Sequence, residues 1–105
     1  MAEIKLTDIS AAEFKRRNIE PVSFHIIDVR EQLEFQTFNL GGQNIPLGPL
    51  LKNTVELDHL KDKEVIVVCR HGLRSETARR ALVINGFTNV RNLAGGILAW
   101  RKLSY

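Results

Sequence analysis

The run Val65-Ile66-Val67-Val68-Cys69-Arg70-His71-Gly72-Leu73-Arg74-Ser75, continued by Glu76-Thr77-Ala78-Arg79-Arg80-Ala81-Leu82, decides the fold. Consecutive β-branched residues over 65–68, with no polar interruption, specify a strand buried on both faces, the pattern of a parallel sheet covered on either side. In the continuation, Ala78, Ala81 and Leu82 fall on one side and Arg79 and Arg80 on another, which predicts an amphipathic helix. The only cysteine of the chain therefore stands where a buried strand ends and a helix is about to start. In open parallel sheets, ligands bind at that end of the strands.

A loop whose backbone N–H groups turn inward, backed by a helix N-terminus, is an anion site. A sulfur at Cys69 is expected to be held there as the thiolate, with Arg70 and Arg74 acting in the same direction. Gly72 gives the tight loop its conformational freedom, and Ser75 is placed to cap the helix. A cysteine after a Val/Ile run also fits as a small buried apolar residue. Against that second reading stand Arg70, His71, Gly72 and Arg74, since charged neighbours are costly to bury.

The 105 residues suit a single domain, 1–105, with 44% hydrophobic content typical of a globular chain. A net charge of +3 favours anionic small molecules, and Lys and Arg form no long block of the kind that marks nucleic-acid binding. One cysteine excludes an internal disulfide and a four-cysteine zinc site, and a free thiol fits a reducing compartment. The N-terminal Met-Ala-Glu-Ile-Lys-Leu-Thr-Asp lacks the apolar core of a secretory signal, and no stretch is long enough to span a membrane, so a cytoplasmic location is expected.

In chain order, Glu3-Ile4-Lys5-Leu6 reads as an edge strand, and Ser10-Ala11-Ala12-Glu13 as a capping box opening a short helix. Lys15-Arg16-Arg17 reads as the solvated face of that helix. Ser23 to Arg30 is a second buried strand. Its Asp28 is either a catalytic acid or a structural group that caps turn amides or pairs with Arg30, and the structural role is favoured. His25 reads as a packed or edge residue. Glu31 to Phe38 reads as one or two helical turns with Leu33, Phe35 and Phe38 available for packing.

Gly41 to Pro49 is turn-rich, with a short strand around Asn44 and Ile45, and Leu50 to Leu60 forms short helices with His59 at the surface. Asn85-Gly86 ends the helix after the cysteine loop, with Phe87 folding back onto it. Val90 to Leu93 is a last strand, Gly95-Gly96 breaks it, and a closing helix follows in which Trp100 is a core anchor. Strands alternating with helices give a three-layer α/β domain with a mainly parallel sheet. No metal-binding set emerges.

Ile27-Asp28-Val29-Arg30-Glu31 with Glu34-Phe35, Val67 to Ser75, and Gly86-Phe87 through Val90 to Gly95-Gly96-Ile97-Leu98-Ala99-Trp100 together resemble a single-domain rhodanese over nearly the whole chain. The resemblance implies a sulfurtransferase without a cofactor. Cys69 would attack the sulfane sulfur of a small anionic donor such as thiosulfate and release sulfite. The resulting persulfide would be held by the loop amides of Arg70, His71, Gly72, Leu73, Arg74 and Ser75. A thiol, cyanide or thiol-protein acceptor would then remove the outer sulfur, a ping-pong double displacement. Arg70 would attract the donor, and Arg74 either joins it or braces the loop. His71 is either a proton donor or an idle exposed residue, and Asp28 and Arg30 give structural support.

The segment Asn39-Leu40-Gly41-Gly42-Gln43 departs from the family pattern by lacking a His before Asn44-Ile45-Pro46. Two other classes fit a cysteine at this place. A sulfur-relay or partner-docking module of the same fold would turn over small donors poorly. A cysteine-based phosphatase or arsenate reductase would need its arginine at the position held here by Ser75. The physiological donor and the oligomeric state stay open.

Overall fold

The computed structural model describes residues 7–103, and the Glu3-Ile4-Lys5-Leu6 piece lies outside them. Parallel strands follow one another through helical crossovers: β1 (Asp8–Ile9), α1 (Ala11–Arg17), β2 (His25–Asp28), α2 (Gln32–Thr37), β3 (Gln43–Asn44), α3 (Leu47–Lys52), a 3-10 helix (Val55–Leu60), β4 (Val65–Val68), α4 (Leu73–Ile84), β5 (Val90–Leu93) and α5 (Gly96–Arg101). The sheet order is β1-β5-β4-β2-β3, so the β-branched run forms its centre. Val67 lies beside Ile27 on one flank and Asn92 on the other.

Alternate residues of the central strands feed opposite cores, which makes the domain three layers. Ile27, Val65 and Val67 face α3, the 3-10 helix and α4 through Leu50, Leu57, Leu60, Ala78 and Leu82. Ile26, Ile66 and Val68 face α1 and α5 through Phe14 and Ile97. Removing each such Val or Ile side chain from water is worth roughly 1.5–3 kcal/mol, and both faces of β4 collect that gain.

Sequence expectations and structure part at several points. Ser10 caps α1 by accepting from Glu13 N–H at 3.0 Å, which is half of the expected capping box, while the Glu13 carboxylate goes to Arg17 and Arg91. Arg17, however, is no solvated-face residue: its guanidinium reaches Glu64 at 2.5 and 3.0 Å and lies over the Phe24 ring, because α1 crosses the edge where β4 begins. Lys15 lies over the Trp100 ring. Leu33 is 74% exposed and α2 contains no buried residue, so that helix rides on the rim of the domain. His25 and His59 are exposed, and Trp100 is a partly buried flank of the second core. Asn85 and Gly86 end α4, with Gly86 N–H bonded to Val83 O and Phe87 N–H to Leu82 O.

Candidate active site

Strand β4 delivers Cys69 to the C-terminal edge of the sheet with 1% of its surface exposed. The loop it enters is shaped from below by α5. Ile97 N–H donates to Cys69 O at 3.0 Å and Leu98 N–H to Arg70 O at 3.1 Å. So close an approach requires Gly96, where a Cβ would lie 2.4 Å from Arg70 O. With these carbonyls drawn toward α5, later amides of the loop face the sulfur. Gly72 N–H donates to Sγ at 3.0 Å and Ser75 N–H at 3.3 Å. Of the loop amides expected around the sulfur, these two reach Sγ itself.

The start of α4 corrects the sequence reading. Gly72, with φ of 96°, is the N-cap, and the helix begins at Leu73 rather than near Glu76. Ser75 does not cap. It lies in the first turn, fully buried, with its hydroxyl 3.1 Å from Sγ and donating to Asn92 Oδ1 at 2.5 Å. Asn92 Nδ2 in turn donates to Gly72 O at 2.9 Å. Asn92 escaped the sequence reading. Its signal was an amide inside a short strand of a sheet covered on both faces, where a buried polar group has to find partners.

Arg74 forms a two-pronged pair with Glu34 of α2, at 2.9 and 3.1 Å. The hydrogen bonds from Arg74 hold the Glu34 carboxyl down at about 2, and the Glu34 contact raises Arg74 in return. Arg74 is thus placed to brace the loop. Glu34, quoted for the resemblance but given no role by it, is the other half of that brace. Arg70, His71 and Leu73 stand exposed around the buried sulfur, and among the described residues neither Arg70 nor His71 has a side-chain partner. Arg70 opens onto a cleft of about 520 Å³ that Leu33, Phe38, Leu98 and Arg101 also line.

Asp28 and Arg30 form a buried unit at the end of β2. Asp28 Oδ1 accepts from Arg30 N–H and Nε, both at 3.0 Å, and Arg30 also donates to Phe38 O at 2.6 Å. With both Asp28 carboxylate oxygens engaged and Arg30 Nη2 bridging to Phe38 O, the pair is built as a strut between β2 and the end of α2. The atypical Gly41-Gly42-Gln43 turn is closed by Asn39 Oδ1, which accepts from Gly41 N–H, and it lies beside His25 rather than Cys69. Among the described residues no group of His, Cys, Asp and Glu side chains could hold a metal ion.

The family model of the rhodanese-like domain matches residues 10–103. The chain belongs to the rhodanese-like domain family. It is 33% identical over 98 residues to the putative sulfurtransferase YtwF of Bacillus subtilis, covering 92% of each chain. It is 34% identical to the putative sulfur carrier protein YrkF of the same organism, covering 90% of this chain but 51% of that protein. With the uncharacterized protein YqhL of B. subtilis, which it matches over 59% of that protein's length, this means the chain spans little more than half of some curated relatives. A rhodanese-related protein from Thermoplasma volcanium superposes with a TM-score of 0.78 at 30% identity, covering 93% of each chain. A Rhodopseudomonas palustris protein described as a possible tyrosine phosphatase shares the fold with a TM-score of 0.70 at 21% identity.

Proposed function

We propose that this rhodanese-like domain is a sulfurtransferase that carries sulfur on Cys69. The observation that supports the reading is the sulfur's place: at the C-terminal end of β4, inside a closed loop, receiving N–H groups from Gly72 and Ser75. A thiolate there attacks the outer sulfur of thiosulfate, the S–S bond to the sulfonate breaks, and sulfite leaves with the bonding pair. The persulfide anion on Cys69 then gives its outer sulfur to cyanide or a thiolate, which regenerates the Cys69 thiolate. Arg70, exposed and without a side-chain partner among the described residues, draws the anionic donor to the mouth. Ser75 occupies the position a phosphatase reserves for arginine, and Arg74 is committed to Glu34, so no guanidinium closes over a tetrahedral phosphate.

A second reading is favoured by the near-complete burial of Cys69 together with the 78% exposure of Leu73, where the same loop enters α4. An apolar residue displayed at the mouth suits a protein partner that passes sulfur in a relay, as the name of the related sulfur carrier protein suggests for that relative. A free thiol supports work in a reducing compartment such as the cytoplasm. No helix among the described residues is long and apolar enough to cross a membrane.

Thiosulfate and cyanide supplied to the wild type and to Cys69→Ser decide between the readings. Turnover that the variant abolishes establishes the enzyme. A gain of one sulfur on Cys69 by mass spectrometry, without turnover, establishes the relay. Wild type that neither turns over nor gains sulfur from thiosulfate, polysulfide or a protein persulfide overturns both.

A further inference from the structure

We propose that Asn92 is a positioning residue of this site, acting on Cys69 by fixing which way the Ser75 hydroxyl hydrogen points. The inference rests on the reading of Cys69 as the sulfur-carrying nucleophile. Its logic is one of donors and acceptors. Gly72 O only accepts, so the Asn92 amide must present Nδ2 to it, at 2.9 Å, which turns Oδ1 toward Ser75. Oδ1 also only accepts, so the Ser75 hydroxyl must donate to it. Ser75 Oγ has one hydrogen, and what remains facing Sγ at 3.1 Å is a lone pair.

That lone pair suits a sulfur that is not an anion. In the thiol form, S–H can donate to Ser75 Oγ, and a chain of hydrogen bonds then runs from sulfur through Ser75 and Asn92 to Gly72 O. In the thiolate, the sulfur keeps the N–H groups of Gly72 and Ser75 but is denied the hydroxyl hydrogen. In the persulfide, Sγ is a neutral bridging atom and the charge sits on the outer sulfur, so the hydroxyl stays with Asn92 at no loss. Asn92 therefore biases Cys69 away from the free thiolate and toward the loaded state. Cys69, Ser75 and Asn92 are all at least nine-tenths buried.

The charged and titratable groups of the loop and of the strand and helix ends beside it are Arg70 and His71, Arg74 with its partner Glu34 from α2, and the Asp28–Arg30 pair at the end of β2. Asn92 hydrogen-bonds to none of them; its side-chain bonds go to Ser75 and Gly72 O. Its effect is thus separable from theirs.

Because the chain has one cysteine, thiolate ultraviolet absorbance against pH, taken as the difference from Cys69→Ser, reads this sulfur alone without requiring reagent access. The set is wild type, Asn92→Ala, Ser75→Ala and the double variant, with Asn92→Leu replacing Asn92→Ala if the latter does not fold. Freed from Asn92, the hydroxyl donates to the thiolate, a charge-assisted bond. Asn92→Ala is then expected to favour ionisation by about tenfold more in the wild-type background than in the Ser75→Ala background. Equal displacement in both backgrounds, or displacement toward the thiol, overturns the proposal and leaves Asn92 as a loop anchor. The titration uses no sulfur donor, so its failure is distinct from failure of the sulfurtransferase reading, which shows as wild type that gains no sulfur.

Discussion

Gly96 sits under the cysteine loop where an added Cβ would meet Arg70 O at 2.4 Å and Cys69 O at 2.5 Å, and its φ of 64° already disfavours a side chain. Gly96→Ala is therefore expected to cost about 2 kcal/mol or more, measured by urea unfolding. It is also expected to lose sulfur transfer even at temperatures where the variant is folded, because the carbonyls it pushes from α5 carry the sulfur-facing amides with them. Full turnover by folded Gly96→Ala would mean that α5 does not set the loop. Residues legible in the sequence were those whose job is local: Cys69 after its strand, Gly72 in its turn, and Asp28 beside Arg30. Ser75 was misread because a hydroxyl at a helix start normally caps, whereas here Asn92, 17 residues away, claims it. Glu34 and Arg74 stand 40 residues apart, and no local pattern pairs them.

At the scale of elements, α2 has the weakest attachment near the site. It buries no residue, and its N-terminus is held by the reciprocal bonds of Glu31 and Glu34 while Glu34 Oε1 also accepts from Arg74. Glu34→Gln keeps a side chain able to close the capping box but removes the ion pair. Amide exchange in α2 is expected to quicken severalfold, while global stability falls by no more than ~1 kcal/mol, since both partners are about one-third exposed. Unchanged exchange in α2 would show that the capping box alone holds it. The central strands and α5 were readable because their apolar runs match the layers they enter. The start of α4 was not, since that helix opens on a glycine with positive φ and an exposed leucine, neither of which carries a polar capping signal. Leu33 misled for the converse reason, since it faces the mouth of the site's cleft rather than a core, whereas Phe38 does pack against the second core beside Trp100.

For the molecule as a whole, acidic side chains held by arginines set the response to acid. Arg17 depresses Glu64, Arg74 holds Glu34 at about 2, and Arg79 holds Glu76 at about 2, each chiefly through hydrogen bonds from the guanidinium. A carboxyl that is more acidic in the folded chain binds fewer protons there than when unfolded. Its contribution is then complete above the ordinary value of 4.5 and is lost as pH falls toward 2. These pairs are partly solvated, so together they are worth on the order of 2 kcal/mol. Glu64 is the informative one, because Arg17 and Arg91 both reach it and so tie α1 and β5 to the start of β4. Urea unfolding of Glu64→Gln beside wild type is expected to show a gap of about 1 kcal/mol at pH 7 that closes as the pH is taken below 4.5 and narrows in high salt. Parallel curves down to the lowest pH at which both fold would mean that Glu64 supports the chain through packing and neutral hydrogen bonds, and that charge at that end of the sheet is incidental to its stability.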